Sequence, residues 1–262
     1  MRTSIWTVSI VALLVVAGVA SAANVPAGVT GFWRFQNQAD KLKATLGVDL
    51  TTSAEGNSTW FSGPWTVIEP GLSDGGVVQE RSWDYLTVNP SFVANGGSTE
   101  YVNQYTVAVD YCQTSLAGLW EGDYYNSLFQ TANTGNGNDG DLFVKGPDLA
   151  NSVIGTGDTG YSTLTYDASK WHRIVWSIDN SSFFRVYVDG VLFLDAAGQG
   201  VDGRFSLYPD HFHLFADNSW EDAWGLVGTV ATWNRALSSA EVAGMGGWID
   251  GAAEPTPLIF PE

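Results

Sequence analysis

The 262-residue chain has one cysteine, Cys112, and sets 11 basic residues against 28 acidic ones. A single thiol excludes an intramolecular disulfide, so packing alone must hold the fold. Cys112 reads as a small buried core residue, because a catalytic thiol wants a His neighbour and an electropositive site that a chain of net charge −17 does not offer. The scarcity of Lys and Arg disfavours nucleic acid and anionic membrane as partners, since phosphate surfaces are bound chiefly by clustered cations. Long apolar runs are missing too. The run from Ile5 to Ala20 falls short of the ~20 residues of a spanning helix. It follows Met1-Arg2 and precedes Ala20-Ser21-Ala22, a small-residue pattern suited to signal peptidase cleavage. The expectation is a secretory signal over 1–22, one domain over 23–250 and an extended tail over 251–262. The protein is then extracellular or periplasmic, without membrane insertion.

What the chain has in quantity is glycine, 30 residues, and aromatics, 13% of the total, the mixture of short strands joined by tight turns. The stretch from Trp171 to Asp195 shows it best. Ile174, Trp176 and Ile178 alternate with Arg173, Val175 and Ser177, and Phe184, Val186 and Val188 alternate with Arg185, Tyr187 and Asp189. That is the period-2 signature of strands with two unlike faces. Asp189-Gly190 precedes a third run, Val191 to Leu194, so the segment reads as a three-stranded meander that needs a second sheet to cover it.

Further strands are expected at Gly31 to Phe35, Tyr85 to Val88, Tyr105 to Tyr111, Tyr125 to Thr131, Leu142 to Val144, Ser162 to Tyr166, Phe212 to Phe215 and Leu226 to Trp233. In Tyr125 to Thr131, strict alternation turns either Leu128 or Phe129 inward, not both. Residues 41–58 have no firm period and read as loop. Ser238 with Glu241 three residues on has the form of a capping box opening a short helix.

Two polar loops carry the chemistry. Asn133 to Asp141 is rich in Asn, Asp and Gly, and Asp139 and Asp141 offer the hard oxygen ligands that Ca²⁺ favours; a flexible hairpin loop is the plainer alternative. In the second, Asp217, Asn218, Glu221 and Asp222 fall within six residues. Carboxylates so crowded repel one another, and a bound cation removes the repulsion.

The ordered combination of GFWRF, WHRIVWSID, FRVYVDGVLF and LVGTVATWNRALSSAEV resembles the laminin G-like and pentraxin-like jelly-roll domains of the concanavalin A-like superfamily. The resemblance covers roughly residues 31–248. It implies an all-β fold, a two-sheet antiparallel jelly-roll sandwich with one short helix near the C-terminus. It further implies a Ca²⁺ ion held between the two loops, with Asp139 at the matching position and Gly140 where Asn is expected. The paired cysteines of pentraxins are absent, which points to a laminin G-like relative.

Three functions fit. The first is a secreted Ca²⁺-dependent carbohydrate-binding domain, lectin-like, or a matrix domain recognising a glycan, a polysaccharide or a cell-surface protein. Sugars present apolar ring faces and rigid hydroxyls, so exposed aromatics beside oxygen donors are the features sought: Trp220 and Trp224 flank the acidic loop, and Trp120, Tyr124 and Tyr125 precede the Asn-rich one. The second is a glycoside hydrolase or lyase. Glu121 and Asp123 have the spacing of two carboxyls on one strand face, although Tyr125 and Ser127 stand where the superfamily pattern would continue with a further Glu. His211 and His213, with Arg204 upstream, are the residues a lyase would use. The third is a structural or protein-interaction module.

Overall fold

The structure, a computed structural model, describes residues 23–35, 42–52, 78–80, 85–116, 119–120, 122–131, 140–216, 221, 225–247 and 258–259. The strands in chain order are β1 Ala23–Asn24, β2 Val29–Trp33, β3 Thr51–Thr52, β4 Val78–Glu80, β5 Leu86–Val88 and β6 Gln104–Gln113. Then come β7 Leu119–Trp120, β8 Asp123–Gln130, β9 Asp141–Gly146, β10 Val153–Thr156 and β11 Gly160–Tyr161. The meander is β12 His172–Asp179, β13 Phe183–Val188 and β14 Val191–Ala197, followed by β15 Phe212–Leu214, β16 Gly225–Trp233, helix α1 Ser239–Gly244 and β17 Leu258–Ile259.

Two antiparallel sheets face each other. The first runs β14-β13-β12-β6-β16-β2 with β4 beside β16, and the second runs β11-β10-β9-β8-β15-β5-β3 with β7 beside β8. The non-sequential neighbours, β6 between β12 and β16, and β15 between β8 and β5, are those of a jelly-roll sandwich. Alternation sets what each sheet sends inward. Tyr105, Val107, Val109 and Tyr111 of β6, Ile174, Trp176 and Ile178 of β12 and Phe184, Val186 and Val188 of β13 meet Tyr124, Phe129, Leu142, Val144 and Ile154 in one core. Trp33 and Phe35 join it, while Phe32 turns to the opposite face, as GFWRF predicts.

That opposite face of the first sheet is also covered. Phe32, Ala108, Val175, Tyr187, Ala231 and Trp233 pack with Leu237, Val242 and Met245 in a second apolar cluster under α1. The capping box is present: Ser238 Oγ accepts from the Glu241 amide, and the Glu241 carboxylate accepts from the Ser238 amide at 2.9 Å. Arg235, 2.7 Å from the same carboxylate, helps hold its pKa down to about 2. The helix thus covers this face of the first sheet.

Four expectations need correction or refinement. Leu128 and Phe129 are both fully buried, because a bulge between Ser127 and Phe129 breaks the alternation of β8. Ser162 to Tyr166 is no strand; it makes only a single bridge, Ser152 with Tyr166, and the strands here are β10 and β11 across the Gly-rich turn. Within residues 41–58, read as loop, Thr51–Thr52 pairs with β5. In the stretch read as an extended tail, Leu258–Ile259 forms a parallel ladder with Ala23–Asn24. The expected signal, residues 1–22, lies outside the described residues. No helix among them is long and apolar enough to cross a membrane.

Candidate functional site

On the outer face of the second sheet, Tyr125 of β8 stands directly across from Lys145 of β9. Tyr161 of β11 closes the third side. Lys145 Nζ lies 5.1 Å from the Tyr125 ring centroid and 5.0 Å from that of Tyr161, a cation held between two π faces. It also pairs with Asp123 at 3.2 Å. Phe143 packs edge-on to Tyr125, with centroids 6.1 Å apart. Beside this cluster Arg204 bonds Asp158. Among the described residues Lys145 and Arg204 are thus each matched by a carboxylate, with aromatic rings beside them.

Asp141 and Glu221, the described residues of the two acidic stretches, border the same region. Asp141 opens β9 opposite Gln130, and the Ser127 amide donates to the Glu221 carbonyl at 2.6 Å. Both residues therefore lie against β8. The Tyr161 phenol registers both: burial raises its pKa most, and Tyr125, Glu221, Asp141 and Asp158 add to the rise. The chain leaves β15 through Phe215, a buried non-glycine residue at φ 60, stacked on Tyr111 at 5.2 Å. A left-handed conformation there costs about 1–2 kcal/mol. Gly140 has no room for the Asn expected there, since a Cβ would stand 2.6 Å from Phe205 Cδ1 and 2.9 Å from the Arg204 carbonyl.

Residues 120–243 match the family model Laminin_G_3. That model describes the concanavalin A-like lectin/glucanases superfamily, and the stretch it matches is just under half of the chain. Among curated proteins no sequence matches this chain. Solved structures share the concanavalin A-like fold at low identity. A Trypanosoma rangeli sialidase in complex with sialic acid aligns over 85% of this chain and 33% of its own, at TM-score 0.57 and 18% identity. This protein thus spans about a third of that sialidase. Domain 4 of AbnA, a GH43 extracellular arabinanase from Geobacillus stearothermophilus in complex with arabinotriose, aligns over 84% of this chain and 98% of its own, at TM-score 0.55 and 17% identity. The botulinum neurotoxin serotype D binding domain aligns over 82% and 50%, at TM-score 0.51 and 12% identity.

Within this concanavalin A-like frame the residues singled out from sequence fall into three groups. Asp139, Asp217, Asn218, Asp222, Trp220, Trp224 and Glu121 lie outside the described residues. Asp141 and Glu221 flank β8 as above, and Trp120 lies in β7 opposite Asp123. Tyr124 departs from its expected role as an exposed ring: it is fully buried, its hydroxyl 2.6 Å from Ser152 Oγ. It belongs to the inward phase of β8, and its neighbour Tyr125 to the outward one. Asp123 is engaged by Lys145. Among the described residues no three or more His, Cys, Asp or Glu side chains form a group that could hold a metal. Lys145, Tyr161 and Phe143 were missed in the sequence, yet Asp141-Leu142-Phe143-Val144-Lys145 alternates in full, so its outward phase was open to reading.

Proposed function

We propose that the protein is a secreted, Ca²⁺-dependent carbohydrate-binding domain whose site is the outer face of the second sheet, beside Asp141 and Glu221. The observation that carries the reading is the group Tyr125, Lys145 and Tyr161 with Asp123 beside it. Aromatic faces accept the apolar side of a pyranose or furanose ring, and the flanking carboxylates and amides accept its hydroxyls. Two aligned structures, named as holding sialic acid and arabinotriose, give the fold a precedent for carbohydrate ligands. For the cation, the support is that the Asp141 and Glu221 carboxylates both raise the pKa of one phenol, Tyr161. Oxygens of Asp139, Asp217, Asn218 and Asp222 would complete a shell of the 6–8 donors that Ca²⁺ takes.

A glycan array probed with the mature protein in CaCl₂ and in EDTA tests the reading. Binding to a defined glycan class, weakened by Tyr161→Ala and lost with EDTA, is the expected result. An empty array in both conditions overturns it and leaves the structural module.

A further inference from the structure

At the other side of the same sheet, on β15 and β5, a second constellation has a chemistry of its own. His211 and His213 are two residues apart, so both project outward while Phe212 and Leu214 enter the core. Their ring centroids are 6.2 Å apart. Each Nδ1 is already engaged, in His211 with Asp210 Oδ1 at 2.7 Å and in His213 with Thr87 Oγ1 at 3.1 Å. Tyr208 stacks on His211 at 5.2 Å, and Tyr85 packs on His213 at 4.7 Å. These contacts fix both rings and leave both Nε2 atoms with no hydrogen-bond partner among the described residues.

We propose that His211 and His213 bind one Zn²⁺ or Cu²⁺ ion through their Nε2 atoms, with water completing the coordination. Imidazole nitrogen suits these metals, whereas Ca²⁺ and Mg²⁺ take oxygen, so the site is chemically separate from the acidic loops. Metal–nitrogen bonds run to ~2.0–2.1 Å, and His211, whose side chain is 36% exposed, leaves the pair open to an ion from solvent. The partners of the two Nδ1 atoms act as the outer shell that orients metal-binding histidines, and Asp210 supplies the carboxylate form of it. With two protein ligands rather than the four of a closed structural site, binding is reversible and open to exchange.

The test is isothermal titration of the untagged protein with ZnCl₂ and, separately, CuCl₂, in excess CaCl₂ so that oxygen-donor sites are filled. One ion per chain is expected. His211→Gln and His213→Gln each weaken binding by about tenfold or more, and Asp210→Asn, which leaves both rings intact, weakens it by roughly tenfold. The chain has three histidines, so His172→Gln is the natural control and leaves binding unchanged. No binding of either metal, or binding untouched by His211→Gln and His213→Gln, overturns the proposal.

Discussion

Arg173 and Asp110 form a forked ion pair, Nε to Oδ1 at 2.8 Å and Nη2 to Oδ2 at 3.0 Å, with both side chains 1% exposed. Further hydrogen bonds hold both groups. Arg173 Nη1 donates to the Met245 carbonyl at 2.8 Å, and Thr229 Oγ1 donates to Asp110 Oδ2 at 2.6 Å. The pair thereby joins β12, β6 and β16 to the end of α1. Removing one partner strands a buried charge, so Asp110→Ala should cost roughly 3–5 kcal/mol in urea unfolding. Replacing both residues by apolar ones, Asp110→Leu with Arg173→Met, should recover much of that loss; a double variant no more stable than Asp110→Ala would show that the pair itself holds the helix down.

His213 gives the fold an acid-side weakness. Its pKa falls from the ordinary 6.5 to about 4 in the folded chain, through burial first and the nearby His211 second. Between those two values the unfolded chain binds a proton that the folded chain refuses. Stability is therefore full above pH 6.5 and is lost as the pH drops toward 4, by roughly 2–3 kcal/mol at most. His213→Gln should flatten that part of the curve when melts are run in EDTA, and an unchanged slope would assign it to other groups.

The parts of the fold legible in the sequence were those in which local pattern and tertiary demand agree. In β12 and β13 both faces are buried, one in the main core and one under α1, and the alternation of large and polar or small residues marks each phase. The bulge in β8 was not legible, because YNSLFQT presents Leu128 and Phe129 as equal candidates and only the register with β9 lets both turn inward. The site was half legible for a related reason. Acidic loops announce themselves by composition, whereas Tyr161 sits on a two-residue strand and reaches Lys145 only through pairing that no local period encodes. Tyr124 and Tyr125 are adjacent in sequence, and the phase of β8 alone separates core from surface.

The turn between β13 and β14 depends on Gly190. Asp189 and Gly190 have φ of 51° and 78°, successive left-handed residues of the kind that close a two-residue hairpin. Asp189 is tied down further, its carboxylate accepting from the Arg173 amide at 2.9 Å and lying 2.6 Å from His172 Nδ1. A Cβ on Gly190 would also approach the Ala243 Cα to 3.3 Å, at the end of α1. Gly190→Ala should lower stability by about 1 kcal/mol or more in thermal or urea unfolding. A neutral result would mean that the helix can shift to admit the methyl group.

Asn180, in the triplet Asn180-Ser181-Ser182, is 1% exposed and turned inward, with Nδ2 3.3 Å from Asn103 Oδ1. A glycan cannot be carried there in the folded state. Expression in a eukaryotic secretory host followed by peptide mass mapping should find residue 180 unmodified; occupancy at that position would require the β12–β13 turn to be rebuilt.

Tyr124 and Tyr125 offer the cleanest separation of stability from binding. Burial pushes the Tyr124 phenol up to about 12, so it stays protonated and shares a hydrogen bond with Ser152 Oγ at 2.6 Å. Tyr124→Phe removes that bond and nothing on the surface. It should cost about 1 kcal/mol, since Ser152 keeps its bond to the Leu149 carbonyl at 2.8 Å. Tyr125→Ala and Tyr161→Ala remove ring faces from the outer side of the sheet. Each should weaken a glycan ligand about tenfold, equivalent to ~1.4 kcal/mol, while melting changes little. Lys145→Met tests the cage from its centre: it keeps the stem between the rings but drops the charge, leaving Asp123 unpaired and open to a sugar hydroxyl. If Tyr124→Phe lowers glycan affinity as much as Tyr161→Ala does, the ligand senses the core, and the outer face of the sheet is not where it binds.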